Sequence, residues 1–316
     1  MRKILTISAL IITHFSLIAQ VDTIWTIGGN SVFTINQTSL TNWAAGGENS
    51  FSGNLVLLAY AKYKFEKTTW DNTAFFNYGL ITANDNQDIR KNNDRLELNS
   101  KYGRYAFGKF YYAGLANFLS QFRPGYDYLI DPQATTPIST FMAPGYLTLS
   151  VGMDYKPNDK FSLYLSPATG KFTWVNDPYI AALGTYGNTP GVIDSLGNII
   201  VDGQRQRSEF GASLIATLAT EIAPKLTTVG KLTLFNNFTD PVKSNRGNID
   251  VNFFNTFAYS LGKLFTLSLY FEVIYDHDVL IPLYDANDVQ IGTGPRTQFK
   301  EVFGIGLSYT VGDKLQ

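Results

Sequence analysis

Along residues 263–277 apolar and polar side chains alternate with a period of two. Phe265, Leu267, Leu269, Phe271, Val273 and Tyr275 fall on one side of an extended chain, and Thr266, Ser268, Glu272 and Asp276 on the other. Residues 297–311 repeat the pattern, with Phe299, Phe303, Ile305, Leu307 and Tyr309 opposite Lys300, Gly304, Gly306, Ser308 and Thr310. The small residues on that second face suit a crowded interior. Ten more segments read the same way, at 30–38, 51–65, 69–83, 94–106, 109–123, 145–156, 160–169, 207–222, 225–238 and 248–261, for a total of twelve strands. In one, Leu96, Leu98 and Tyr102 oppose Arg95, Glu97, Asn99 and Lys101; in another, Leu147, Leu149, Val151 and Met153 oppose Thr148, Ser150, Gly152 and Asp154. Segments 51–65 and 109–123 are apolar on both faces, which leaves their orientation open.

The connections alternate in length. Short links of turn-forming residues fall at Glu66-Lys67-Thr68, Phe107-Gly108, Lys156-Pro157-Asn158-Asp159, Ala223-Pro224-Lys225 and Leu261-Gly262-Lys263. Between them lie long links at 39–50, 84–93, 124–144, 170–206, 239–247 and 278–295. Five short and six long links, beginning and ending on a long one, are what twelve antiparallel strands with both ends in the periplasm require. The longest, 170–206, carries Asp177-Pro178, Gly187-Asn188, Thr189-Pro190-Gly191 and Leu196-Gly197-Asn198. These turn signals predict a small folded excursion or hairpin that folds over or into the mouth.

The first nineteen residues read as an export signal: Arg2 and Lys3, an apolar run from Ile4 to Ile12, then Phe15, Leu17, Ile18 and the small Ala19. A helical anchor over 4–18 is the competing reading, but the run falls short of the roughly 20 residues a bilayer span needs. No other stretch holds 18 consecutive apolar residues, so the membrane option left is a barrel. A soluble β-sandwich also has amphipathic strands. The export signal, the length of the strands and the alternation of links weigh against it. The expectation is an all-β chain: a signal peptide over 1–19, then a single closed antiparallel transmembrane β-barrel of about twelve strands over 20–316. It predicts an address in the outer membrane of a Gram-negative bacterium.

Composition sharpens this in three places. Aromatic residues make up 15% of the chain, as interfacial girdles would use them. Cysteine is absent, which removes disulfides, thiol catalysis and thiolate metal sites. Loss of Arg2 and Lys3 takes the 25 basic residues to 23 against 26 acidic ones, and no basic run stands out, so nucleic acid is excluded as a partner. The mean hydropathy of −0.05 decides nothing, because a barrel hides only one face of each strand in lipid.

The polar faces carry both signs of charge: Lys62, Lys64, Arg95, Lys101, Lys231 and Lys300 against Asp71, Glu97, Asp154, Glu209, Glu221, Asp250 and Glu272. Six bases against seven acids nearly cancel if they point inward. A selective porin displays a one-sided field. A balanced, narrow, partly dry interior instead pairs its charges across strands. Twelve strands also enclose less bore than a sixteen-stranded porin.

Catalysis has little to stand on. His277 is the one histidine left once His14 departs with the signal; Asp276 and Asp278 flank it, and no serine adjoins it. It reads as a polar rim residue, with a barrel hydrolase as the competing reading. One histidine without cysteine does not make an ordinary zinc site. Asn84-Asp85-Asn86-Gln87-Asp88 and Asp285-Ala286-Asn287-Asp288 offer oxygens, but lack the spacing of a calcium loop. No cofactor is implied.

Residues 40–50, LTNWAAGGENS, resemble the N-terminal signature of an uncharacterised outer-membrane barrel family of Bacteroidota-type bacteria, the domain of unknown function 3078 family. Asn42, Trp43, Gly46, Gly47 and Glu48 carry the resemblance, and it extends through Asn84-Asp85-Asn86, Lys91-Asn92-Asn93-Asp94 and Phe122-Arg123-Pro124-Gly125-Tyr126 over most of the mature chain. The resemblance implies a barrel and an outer-membrane address, and no established activity. Paired glycines beside a tryptophan make either an aromatic-capped turn or a segment that plugs the lumen or docks a partner. The functional expectation is a non-enzymatic structural or accessory subunit of an outer-membrane complex. It would be embedded in outer-membrane lipid and lipopolysaccharide and partnered by other outer-membrane or envelope-assembly proteins. The alternative is a narrow channel for small solutes.

Overall fold

A computed structural model describes residues 24–38, 50–83, 89–127, 133, 135–262, 264–285 and 290–312. The signal-like segment 1–19 and the Asn42-Trp43-Gly46-Gly47-Glu48 motif lie outside these residues. So do 84–88 and 286–288 of the two oxygen-rich stretches.

Twelve antiparallel strands close on themselves. In chain order they are β1 (Trp25–Thr38), β2 (Ser50–Phe65), β3 (Thr68–Ala83), β4 (Ile89–Phe107), β5 (Phe110–Ser120), β6 (Gly145–Asn158), β7 (Phe161–Trp174), β10 (Gln206–Ala223), β11 (Leu226–Asn237), β12 (Ile249–Ser260), β13 (Phe265–Tyr275) and β16 (Gln298–Gly312). Two small hairpins lie outside the wall: β8 (Val192–Ile193) with β9 (Ile199–Val201), and β14 (Leu280–Tyr284) with β15 (Gln290–Pro295). Every wall strand pairs with its neighbours in sequence. The ring is sealed where β1 meets β16, from Gly28 opposite Gly312 to Thr34 opposite Gly306. Closure leaves no sheet edge, the condition for a sheet to stand in lipid.

The alternation sorts side chains as expected. On β16 Phe299, Phe303, Ile305, Leu307 and Tyr309 face outward and are about half to two-thirds exposed, while Gly304 and Gly306 are buried inside. The inner glycines are required by crowding: a Cβ on Gly306 would stand 2.7 Å from Thr34 Cγ2. Near the short turns the outer face carries an aromatic girdle, with Trp25 packed 5.2 Å from Tyr63 and 6.0 Å from Trp70, and Phe107 5.1 Å from Phe110. Leu98, Tyr102, Leu149, Val151, Leu165, Leu218 and Phe265 continue the apolar exterior. The longer strands, up to the 19 residues of β4, exceed the roughly 9–11 that span a bilayer, so their loop-side ends rise above it. Glu301 faces outward three residues from that end of β16.

Four boundaries depart from the sequence reading. β1 starts at Trp25, five residues earlier than the alternation suggested, because Ile27-Gly28-Gly29 has too little side chain to show a period. β4 starts at Ile89, so the link expected at 84–93 shrinks to 84–88 and is not a long loop. β5 ends at Ser120, short of 123. β7 runs on to Trp174 past Pro167, which a regular central strand excludes. A bulge accommodates it: the pairings with β6 and β10 both skip a residue here, and Ser166 Oγ donates to the Val151 and Ala168 carbonyls at 2.7 and 2.9 Å.

Residues 121–127 and 135–144 fold together with loop 175–205 above the wall. Helix α1 (Pro178–Leu183) is capped by Asp177, whose carboxylate accepts from Ile180 N–H at 3.0 Å, and ends on Gly184 at φ 67°. Ala143, Val175, Ile180 and Ala181 are fully buried in one cluster, with Tyr186 packed against it. Asn188 Nδ2 ties α1 to the returning chain through the Ala181 and Gln204 carbonyls, at 2.7 and 2.8 Å. The expected excursion is therefore a helix plus a hairpin. Gly187 leans so close over the bore that a Cβ there would stand 2.0 Å from Arg207 Nη1.

Candidate functional site

The inward-facing charges form a lattice in three tiers. The central tier is built on Glu97 of β4, which is 4% exposed. Its carboxylate accepts from Arg95 Nη2 at 2.7 Å, Lys231 Nζ at 2.8 Å, Asn117 Nδ2 at 3.0 Å and Asn99 Nδ2 at 3.2 Å. Arg95 uses its other arm, Nη1, to reach Glu272 Oε1 at 2.7 Å, and Tyr270 donates to the same carboxylate at 2.8 Å. The Arg95 guanidinium also lies 5.5 Å over the Phe254 ring. Around the ring β4 stands five pairings from β13 on one side and five from β11 on the other. Both ion pairs therefore reach from one wall to strands near the opposite one.

Toward the short turns, Lys101 Nζ pairs with Asp154 at 2.6 Å and donates to Ser162 Oγ at 2.8 Å, while Ser162 donates to Asp154 at 2.5 Å. Lys156 bridges Asp71 at 2.5 Å and Asp154 at 3.5 Å. Toward the loops, Lys171 stands among Asp250 (3.2 Å), Asp276 (3.4 Å) and Glu209 (3.8 Å). Arg207 bonds Glu209 at 3.0 Å and Asp278. These charges are mostly buried, and each removed from water costs several kcal/mol unless paired, so the lattice is what makes a charged interior tolerable. Tyr164, fully buried, fills the bore beside it with its hydroxyl 3.0 Å from Ser150 Oγ.

The structure thus brings Arg95, Glu97, Lys231 and Glu272 into one tier, Lys101 and Asp154 into a second, and Glu209 and Asp250 into a third. Lys300 lies inside at the loop end, bonded to Asn93 Oδ1. Lys64 is not in the lattice; it pairs with Asp159 at 3.6 Å on the exposed turn rim. Glu221, also exposed, accepts from Lys225 N–H at 2.9 Å in a turn. Lys62 sits 5.7 Å over the Tyr60 ring. His277, half-buried above β13, has Nδ1 3.3 Å from the Tyr275 hydroxyl. Sequence reading left five of these charges out of the inward set: Lys156, Lys171 and Arg207, and also Asp276, placed on a polar face, and Asp278, named only as a neighbour of His277. Four of these lie in or beside turns and strand ends. Lys171 follows the Pro167 bulge, which shifts inward parity from Ser162, Tyr164 and Ser166 to Thr169, Lys171 and Thr173.

A closed antiparallel sheet, apolar outside and charged within, is an integral outer-membrane β-barrel. Residues 35–126 match the model of a family described as a protein of unknown function, DUF3078. Both the Trp43 motif and Phe122-Arg123-Pro124-Gly125-Tyr126 fall inside the DUF3078 match, which stops far short of the C-terminal strands. No curated protein matches the chain by sequence. Among solved structures, it is similar to an outer membrane channel from Pseudomonas putida F1 (12% identity, TM-score 0.39, covering 93% of this chain and 100% of that one). It is also similar to the translocator domain of the autotransporter NalP from Neisseria meningitidis (9%, 0.35, 98% and 95%). A third is the outer membrane channel DcaP of Acinetobacter baumannii (8%, 0.29, 92% and 96%). None is similar enough to carry an activity, solute or partner over to this chain.

Proposed function

We propose that this barrel is a non-enzymatic, closed-bore protein that serves as a structural or accessory subunit of an outer-membrane complex. The observation that carries the reading is the central tier: Arg95–Glu272 and Lys231–Glu97 join near-opposite walls at 2.7 and 2.8 Å. A solute passing through would have to break charge-assisted bonds in a partly dry interior, each costly to leave unmade. A barrel that does not transport contributes through its surfaces, and the loop cap over 121–127, 135–144 and 175–205 supplies a folded one on the outside. Its surroundings are outer-membrane lipid and lipopolysaccharide, and its partners other envelope proteins. Purification in mild detergent from native membranes, followed by mass spectrometry, is expected to recover a stoichiometric envelope partner. A lone monomer that conducts ions in planar bilayers would replace this reading with a narrow solute channel.

A further inference from the structure

Between the central tier and the loops lies a cavity of about 220 Å³, bordered by Asn77, Arg95, Tyr146, Tyr270, Glu272 and Lys300. This is far more than the roughly 10–15 Å³ that holds one water. Two of its groups are left unmatched. Asn77 is 92% buried, being only 8% exposed, yet its Oδ1 accepts no hydrogen bond among the described residues. Lys300 has a neutral partner, Asn93 Oδ1, and no carboxylate oxygen within 4.0 Å among the described residues. That sets it apart from Arg95, Lys101, Lys156, Lys171, Arg207 and Lys231, each of which holds at least one acid. Buried polar groups left in this state are rare because they are expensive. A cation lacking an anion and an acceptor lacking a donor, on one void, describe the complement of a ligand.

We infer that this cavity binds a small carboxylate-bearing solute of amino-acid or sugar-acid size. The carboxylate sits on the Lys300 ammonium, and a neighbouring hydroxyl or ammonium of the solute donates to Asn77 Oδ1. Glu272 is already bound to Arg95 and Tyr270, and so leaves Lys300 available. The central tier is the floor, which makes this a receiving site on the outer side and not a stage of passage. The site stands apart from the subunit reading: a barrel without envelope partners would leave it intact, and failure to bind would leave the closed bore intact.

The test is titration of the folded barrel in detergent with glycolate, L-serine and D-glucuronate at millimolar concentration, read by ligand-detected NMR. At least one is expected to bind saturably, while its amide counterpart, which lacks the charge, does not. Lys300→Gln should weaken binding by about tenfold or more, as loss of a charge-assisted bond does, and Asn77→Leu by severalfold. Heat-shifted migration on gels reports whether each variant still forms the barrel. If Lys300→Gln does not fold, the carboxylate-against-amide contrast on the wild type and the Asn77→Leu titration decide. Failure of all three solutes, or equal binding of carboxylate and amide, would overturn the proposal and leave a cavity that holds water only.

Discussion

The bore and the loop cap are built on opposite rules, although the same chain makes both. In the bore Glu97, Asp154 and Glu209 are buried with 4%, 1% and 4% of their surface exposed, and ion pairs hold them: Glu97 to Lys231 across the bore, Asp154 to Lys101 two strands away, and Glu209 to Arg207 on its own strand. In the cap Ala143, Val175, Ile180 and Ala181 are buried together as in a small soluble domain. The difference follows from what lies outside each region. Lipid takes the apolar side chains of the wall, so the inner face keeps the polar ones and must pair them. The cap stands in water, so apolar burial stabilises it directly. The wall should therefore fail when a charge is orphaned, and the cap when volume is removed.

The sharpest way to break the comparison is Glu97→Gln, which takes the acid from Lys231 and halves the claim on Arg95. Orphaning a buried charge costs about 3–5 kcal/mol, and the whole barrel should lose roughly that in urea unfolding, with the cap unfolding no earlier. Next comes Ile180→Ala, where a fully buried side chain leaves a cavity worth about 2–5 kcal/mol. Here proteolysis should open loop 175–205 while heat-shifted migration of the barrel is unchanged. Asp177→Ala removes the cap of α1 and should cost about 1 kcal/mol, seen as faster hydrogen exchange over 178–183 alone.

The last effect is one of pH. Burial pushes the Tyr186 phenol from 10.0 up to about 12, and its O–H donates to the Ile138 carbonyl at 3.0 Å. The neutral phenol is favoured in the folded cap, so that contribution is complete below about pH 10 and fades as the pH rises toward 12. Hydrogen exchange or near-ultraviolet absorption of the cap should show the loss there, and Tyr186→Phe should abolish the pH dependence.

How much of this was legible follows the same division. Twelve strands and alternating links could be read from period two because barrel strands are long and one face of each meets lipid. The nine inward charges from Arg95 to Lys300 could be read by parity from their apolar neighbours. Lys171 could not, since Pro167 bends the strand and flips the parity behind it. Nor could the pairing of Arg95 with Glu272, 177 positions away, because contacts across a bore depend on closure and register. In the cap, Asp177-Pro178 and Gly184 were present as helix boundaries, but a helix of six residues is too short to show a period. The void beside Lys300 left no trace in the pattern, because an unmatched cation reads like any other.

The central claim is that the bore is closed by its own charges, and ion current tests it most directly. Wild-type barrel in a planar bilayer should show no steady conductance. A variant with Arg95, Glu97, Lys231 and Glu272 all replaced by Ser, which removes the tier without orphaning a member of it, should show resolved open steps. Wild-type protein that conducts as well as that variant would contradict the account.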